Sequence, residues 1–238
     1  MPKQRIRIRF SKFGRLKFIG HRDLLRTLEA LFRRARLPLA MSSGFHPKVR
    51  MSFPSALALG FESTDEILEL EMEESAEPVD TAALLADLNR QSLGGLEFLS
   101  ARLLAEGEKK ASLASSIFQM FVPKELVERI GTRIESFLAD TSHIVTKANG
   151  KSVDVRAAVL QMTWSETGEL NVELQAQPGP EAGIKEVLKA LGLDKELFVT
   201  LFPQRIRCRL VDEVEQQTNT SPLNEFAGIN LTRPFFCG

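Results

Sequence analysis

The chain has 238 residues, with 31 Lys+Arg against 31 Asp+Glu, 43% hydrophobic residues, two cysteines, one tryptophan and no tyrosine. That length holds one large domain or two of ordinary size with real cores, and the composition excludes collagen-like, low-complexity and disulfide-scaffold chains. No apolar run reaches the ~18 residues of a membrane span and the N-terminus has no apolar signal core, so a soluble cytoplasmic protein is expected, with no membrane partner. The zero net charge conceals a polarity. Residues 1–60 carry 14 Lys/Arg and two acids, Asp23 and Glu29, a net +12; the remainder carries 17 basic and 29 acidic residues, a net −12. Such a chain either presents a face to an anionic partner or neutralises one half with the other across an internal interface.

Residues 4–10 alternate strictly, with Ile6, Ile8 and Phe10 on one side and Arg5, Arg7 and Arg9 on the other, as a half-buried strand requires. Residues 12–15 form a turn at Gly14, and 16–19 are a short apolar stretch. From 21 to 36 the spacing becomes helical. Leu24, Leu28, Leu31, Phe32 and Ala35 make one stripe, Arg22, Arg26, Arg33 and Arg36 lie largely off it, and Pro38 ends the helix. Residues 39–60, punctuated by Ser, Gly and Pro, predict an extended strand with a large loop. A strand follows at 67–72. Asp80 or Thr81 caps a helix with Leu84, Leu85 and Leu88 inward, Gly94-Gly95 stops it, and 96–104 is a final strand.

After a polar linker at 105–110 the same order recurs. A strand at 117–122 precedes a helix from Pro123 with Leu126, Val127, Ile130, Ile134, Phe137 and Leu138 inward. Residues 143–147 and 152–156 flank the hairpin signal Asn149-Gly150, and 160–164 pairs with 170–176 around Thr167-Gly168. A helix at 180–191 and a strand at 205–210 close the series. Strand, helix, strand, strand, helix, strand is the split β-α-β unit. The expectation is an α+β fold of two tandem ferredoxin-like (βαββαβ) domains with antiparallel sheets: a basic domain at 1–106, a second at 113–211 with an extra hairpin, and an extended tail at 212–238. The nine acids between Glu62 and Asp80, with no base among them, read as a solvated edge that discourages strand pairing, or as a screen over the basic face.

The candidate chemistry concentrates in residues 14–60. His21, at the start of a basic helix with Asp23 two residues on, suits anion or ligand contact, general acid/base work, or plain packing. His46 sits in a Gly-Phe-His-Pro loop, where Ser42, Gly44 and Phe45 are further contact candidates. Arg5, Arg7, Arg9, Arg15, Arg22, Arg26, Arg33 and Arg50 are the candidate RNA or anion ligands, with Phe13, Phe18 and Phe45 available to stack bases. Contact with about five phosphates of a single strand predicts a log–log salt slope near −3.5. Histidine spacing offers no metal site, Cys208 and Cys237 alone cannot build a cysteine-ligated cluster, and no phosphate loop or nucleophile elbow is present. No cofactor is expected.

Gly14-Arg15-Leu16-Lys17-Phe18-Ile19-Gly20-His21-Arg22-Asp23-Leu24 and Ser42-Ser43-Gly44-Phe45-His46-Pro47-Lys48-Val49-Arg50-Met51-Ser52-Phe53 resemble the hallmark of an uncharacterised bacterial family described as radical-SAM-linked proteins. The match falls at Gly14, Phe18, His21, Asp23, Leu24, Ser42, Gly44, Phe45, Pro47, Arg50, Ser52 and Phe53. It departs at Val49, where many relatives have proline. Val153-Asp154-Val155-Arg156 is also similar. The resemblance implies a separate radical SAM enzyme as partner, and no activity. The three-cysteine motif of radical SAM enzymes is absent, so this chain is not that enzyme. Tandem ferredoxin-like domains with a basic loop are also similar to the CRISPR repeat-processing endoribonucleases, which cleave RNA without metal, but fold-level likeness is a weak guide. The leading expectation is a non-catalytic accessory protein that binds RNA or presents a substrate. The alternatives are a metal-independent endoribonuclease using His21 or His46, and a protein-docking module.

Overall fold

The computed structural model describes residues 4–73, 79–176, 182–193 and 200–220. In chain order the elements are β1 (Arg5–Lys12), a 3-10 turn (Gly14–Phe18), α1 (His21–Arg34), β2 (Met51–Ser52), β3 (Glu62–Glu71), α2 (Thr81–Gln91) and β4 (Leu96–Leu103). They continue with β5 (Leu113–Phe121), α3 (Lys124–Ala139), β6 (Ile144–Thr146), β7 (Ser152–Asp154), β8 (Val159–Trp164), β9 (Glu169–Gln175), α4 (Ile184–Ala190), β10 (Gln204–Leu210) and α5 (Val211–Thr220). The strand order is β4-β1-β3-β10-β5-β9-β8, with β2 also on β3, in one eight-stranded sheet; β6 and β7 form a separate hairpin.

The fold is mixed α+β with one large, mostly antiparallel sheet. Two separate sheets were expected, and the difference lies at the junction of β3 and β10. These strands run parallel only over Gln204↔Glu62 and Arg205↔Ser63. Past that point side chains of β3 take over the backbone bonding. The Ser63 hydroxyl donates to Arg205 O at 3.1 Å, Thr64 to Ile206 O at 3.2 Å, and Asp65 Oδ2 accepts from Cys208 N at 2.8 Å. Alternation reveals a strand but not its lateral neighbour, so this junction left no periodic signal.

Each half has its own core. Ile6, Ile8 and Phe10 of β1 and Leu68 and Leu70 of β3 pack against Leu24, Leu28, Leu31 and Phe32 of α1 and Leu84 and Leu88 of α2. Phe118, Met120, Leu170 and Val172 pack against Ile130, Ile134 and Phe137 of α3 and Val187 and Leu188 of α4, joined by Leu57 and Phe61 from the first half. On the opposite sheet face lies a small cluster of Ile67, Leu113, Cys208 and Leu210. α1 opens with Asp23 in its first turn and closes with Arg33 and Arg34 in its last, both favourable to its dipole. α2 is capped as expected, Asp80 Oδ1 accepting from Ala82 N at 3.0 Å and Ala83 N at 3.1 Å.

Four elements differ from expectation, and of these β5 begins at Leu113 rather than 117. The strand sought in 39–60 shrinks to β2, and β3 begins at Glu62 rather than 67, because Asp65, Glu66 and Glu69 are carried inside the sheet by arginine partners. Within β3 the solvated-edge reading of that acidic run is therefore overturned, since Glu66 and Glu69 are buried in the middle of the sheet; Glu74 and Glu77 lie outside the described residues. The tail expected from 212 begins instead inside α5 (Val211–Thr220), with Asp212 and Glu213 in its first turn. The rest of that tail, 221–238, and the start of the helix expected from 180 lie outside the described residues.

Candidate functional site

Antiparallel pairing sets Arg7 opposite Glu69 and Arg9 opposite Ile67, on the sheet face that α1 and α2 do not cover. There the strand arginines meet carboxylates from both halves. Arg7 is 5% exposed; its Nε lies 2.9 Å from Glu69 Oε1 and its Nη1 2.7 Å from Asp212 Oδ2, with Glu108 Oε1 at 3.6 Å from Nη2. Arg9 Nη1 reaches Asp65 Oδ1 at 2.5 Å, and Nη2 reaches Glu213 Oε1 at 2.6 Å. Burial opposes the Arg9 charge, but Asp65 and Glu213 outweigh it and raise its pKa. Arg5 donates to the Glu108 carbonyl. Arg50 donates from Nη1 to Glu71 Oε2 at 3.0 Å and from Nε to Met41 O at 3.3 Å. Burial of Glu71 works against ionisation, yet Arg50, with Lys110 at 3.6 Å, holds its carboxyl below the usual range.

The candidate anion ligands of β1 and α1 do not share one face. β1 sends its arginines to one sheet face and α1 lies over the other, and carboxylates already occupy the first. Magnitude separates the two groups further. Taking one partner from a buried pair such as Arg7–Glu69 costs about 3–5 kcal/mol. The α1 pairs Arg26–Asp23 (3.2 Å) and Arg33–Glu29 (2.7 Å) are exposed i,i+3 and i,i+4 contacts, worth about 0.2–1 kcal/mol each. A phosphate can take over the second kind of pair and not the first.

The exposed cations run along the solvent side of α1 and the turn before it: Arg15, Arg22, Arg26, Arg33, Arg34 and Arg36. Amphipathic spacing makes this so, since the buried stripe Leu24-Leu28-Leu31 fixes which side of the helix faces water. Phe18, 68% exposed, lies on this turn with Lys17 Nζ 5.4 Å from its ring centroid, and Phe13 is also exposed.

His21 has a packing role: its ring meets Phe53 edge-on at 5.2 Å, and Phe53 meets Phe10 at 6.4 Å. This stack ties the start of α1 to the segment after β2. The expected contact loop is held at its base by Ser42 N donating to Lys48 O (2.8 Å) and Lys48 N donating to Ser42 Oγ (3.0 Å). Gly44 adopts a φ of 133° that favours glycine, and Phe45 and His46 stand out at the tip, Phe45 fully in solvent. Asp154 Oδ1 accepts from the backbone N–H of His143, Arg156 and Ala157, which holds its carboxyl below the usual range and fixes the end of the β6–β7 hairpin. Among the described residues no group of three His, Cys, Asp or Glu is placed to hold a metal ion.

A second constellation escaped the sequence reading. Lys12, Glu66 and Arg205, all about 2% exposed, gather at the junction of the two halves. Arg205 donates from Nε to Glu66 Oε1 at 2.8 Å and from Nη2 to Oε2 at 2.5 Å, and from Nη1 to Ser55 Oγ at 3.2 Å. Burial pushes the Lys12 ammonium below the usual lysine range; Glu66 pulls it up and Arg205 pushes it down again. A lysine ending a strand and an arginine 193 positions later give no local signal of meeting.

These features define a mixed α+β protein with a basic helix edge, a projecting Phe-His loop and a charged junction. The family described as "Uncharacterized protein conserved in bacteria (DUF2344)" matches residues 5–186, and the chain belongs to it. No curated protein matches the chain.

Proposed function

We propose that the chain is a non-catalytic accessory protein that binds RNA along the exposed edge of α1 and presents it, or a ribosome-associated target, to a separate radical SAM enzyme. The observation that carries the RNA reading is the row of exposed guanidinium groups from Arg15 to Arg36, which meets the weak pairs of Asp23 and Glu29 among the described residues and is flanked by the exposed Phe18 ring. Phosphates would displace those acids at little cost, and a base would stack on Phe18. The strand arginines Arg5, Arg7 and Arg9 are assigned to holding the sheet. The partner enzyme rests on the motif resemblance at Gly14–Leu24 and Ser42–Phe53, with Phe45 and His46 as its natural contact point, and RNA work of this kind belongs in the cytoplasm. The strand orders β4-β1-β3-β2 and β10-β5-β9-β8 support reading the halves as two ferredoxin-like units fused edge to edge.

The test is fluorescence anisotropy with a labelled single-stranded RNA in a chelator, followed by a gel of the RNA. The expected result is saturable binding of intact RNA, weakened at least about tenfold in Arg22→Ala/Arg26→Ala/Arg33→Ala, three phosphate contacts at somewhat under 1 kcal/mol each. Equal affinity in that variant, or cleavage that His46→Ala abolishes, overturns the reading.

A further inference from the structure

Between the two halves, on the face that carries the helices, lies a cleft of about 660 Å³, within the range of small-molecule sites. Its walls are the segment after β2, the linker before β5, the end of β9 and the start of α4. Among the described residues, Lys110, Lys147, Lys185 and Arg205 line it against one acid, Glu186, whose Oε2 already accepts from Gly183 N at 2.9 Å. Phe53, Leu57 and Phe118 supply an apolar wall. Arg205 enters from the floor. Its Nε and Nη2 are held by Glu66, and Nη1 is the nitrogen that meets Ser55, another lining residue. Ser55 Oγ accepts that bond, so its own hydroxyl proton is left to donate to a ligand oxygen. Arg205 is the buried cation of the lining, and behind it lie the buried Glu66 and Lys12.

We propose that this cleft binds a phosphate group, a second anion site separate from the α1 edge. The phosphate oxygens lie against Arg205 Nη1 and the Ser55 hydroxyl, with Lys110 and Lys185 closing from the rim, and the organic part of the ligand rests on Phe53 and Phe118. The His21–Phe53 stack thereby gains a purpose beyond packing, because it holds the segment that delivers Ser55 to Arg205. The site stands independently of the RNA reading.

The test is isothermal titration of the full chain with pyrophosphate at fixed ionic strength. The expected result is one saturable site, weakened about tenfold or more in Lys110→Ala/Lys185→Ala, which removes two exposed charge-assisted contacts and leaves the buried floor intact. Ser55→Ala weakens it by a smaller factor, and the α1 triple variant, which cripples RNA binding, leaves it unchanged. Competition by adenosine 5′-monophosphate but not by a ten-nucleotide RNA lacking terminal phosphates assigns the site to a small phosphorylated molecule; the reverse assigns it to a phosphodiester backbone. No saturable binding, equal affinity in the Lys110/Lys185 variant, or loss in the α1 variant overturns the proposal.

Discussion

Replacing Glu66 by Gln removes the only negative charge among three buried side chains and leaves Arg205 and Lys12 facing each other. Arg205 holds Glu66 through contacts of 2.5 to 2.8 Å, and both side chains are 3% exposed or less. Breaking a buried pair by removing one partner costs about 3–5 kcal/mol, a large share of the ~5–15 kcal/mol that a domain possesses. With a urea slope of about 2–3 kcal/mol/M, the unfolding midpoint falls by about 1–2 M. The assay is urea denaturation followed in parallel by far-ultraviolet circular dichroism and by the fluorescence of Trp164, which packs in the second half. Because the pair bridges β3 and β10, both signals shift together, although Glu66 belongs to the first half. Glu66→Leu/Arg205→Met recovers much of the loss, since a fully apolar replacement leaves no orphan from the pair. A loss below about 1 kcal/mol for Glu66→Gln, or a circular-dichroism shift with Trp164 unmoved, refutes the reasoning.

Other outcomes follow from the same geometry. Cys208 is buried and its thiol is pushed up to about 12, chiefly by burial; in a Cys237→Ser background it reacts with iodoacetamide at pH 8 about a thousandfold more slowly than an ordinary thiol, as the thiolate fraction requires. The sign is that of a raised acid. The stabilisation is fully present below the unfolded thiol value of about 8.5 and is lost as pH rises toward 12, so the urea midpoint declines in that window and Cys208→Ala flattens the decline. Glu71, Glu108 and Asp154 are shifted the opposite way, Glu108 first by the Arg102 hydrogen bond. Their stabilisation holds above about pH 5 and disappears as pH falls through their depressed values, and Glu108→Gln shrinks the acid-side loss. Gly131 on α3 would place a Cβ 2.6 Å from the Trp164 ring; Gly131→Ala therefore costs about 1–3 kcal/mol through overpacking and shifts Trp164 emission, and an unchanged midpoint contradicts that packing.

Much of the fold was legible because its signals are local. The alternation of Ile6, Ile8 and Phe10, the stripe Leu24-Leu28-Leu31, the Asp80 cap and the Asn149-Gly150 hairpin each reflect a few neighbouring residues. What escaped is nonlocal. Nothing near Asp65 or Glu66 announces a strand, since those acids enter the sheet paired with Arg9 and Arg205, which arrive from distant segments. The same cause explains the strand arginines. Their alternation correctly puts them on one face, but Asp212 and Glu213, about 200 positions later, decide that the face is closed. The α1 arginines were legible as exposed because helical periodicity alone separates them from the buried stripe. The His21–Phe53 contact joins the stretches 14–24 and 42–53, a spatial relation that their spacing did not reveal.

The most direct measurement is the salt dependence of RNA affinity for the wild type, the α1 triple variant and Arg9→Ala. With about five phosphate contacts the wild-type log–log slope is near −3.5, and loss of three cations reduces its magnitude by about 2. Arg9→Ala, whose partners Asp65 and Glu213 already neutralise it, leaves the slope where it was. A slope that is unchanged in the α1 variant and reduced in Arg9→Ala places the nucleic acid on the strand face and contradicts the account.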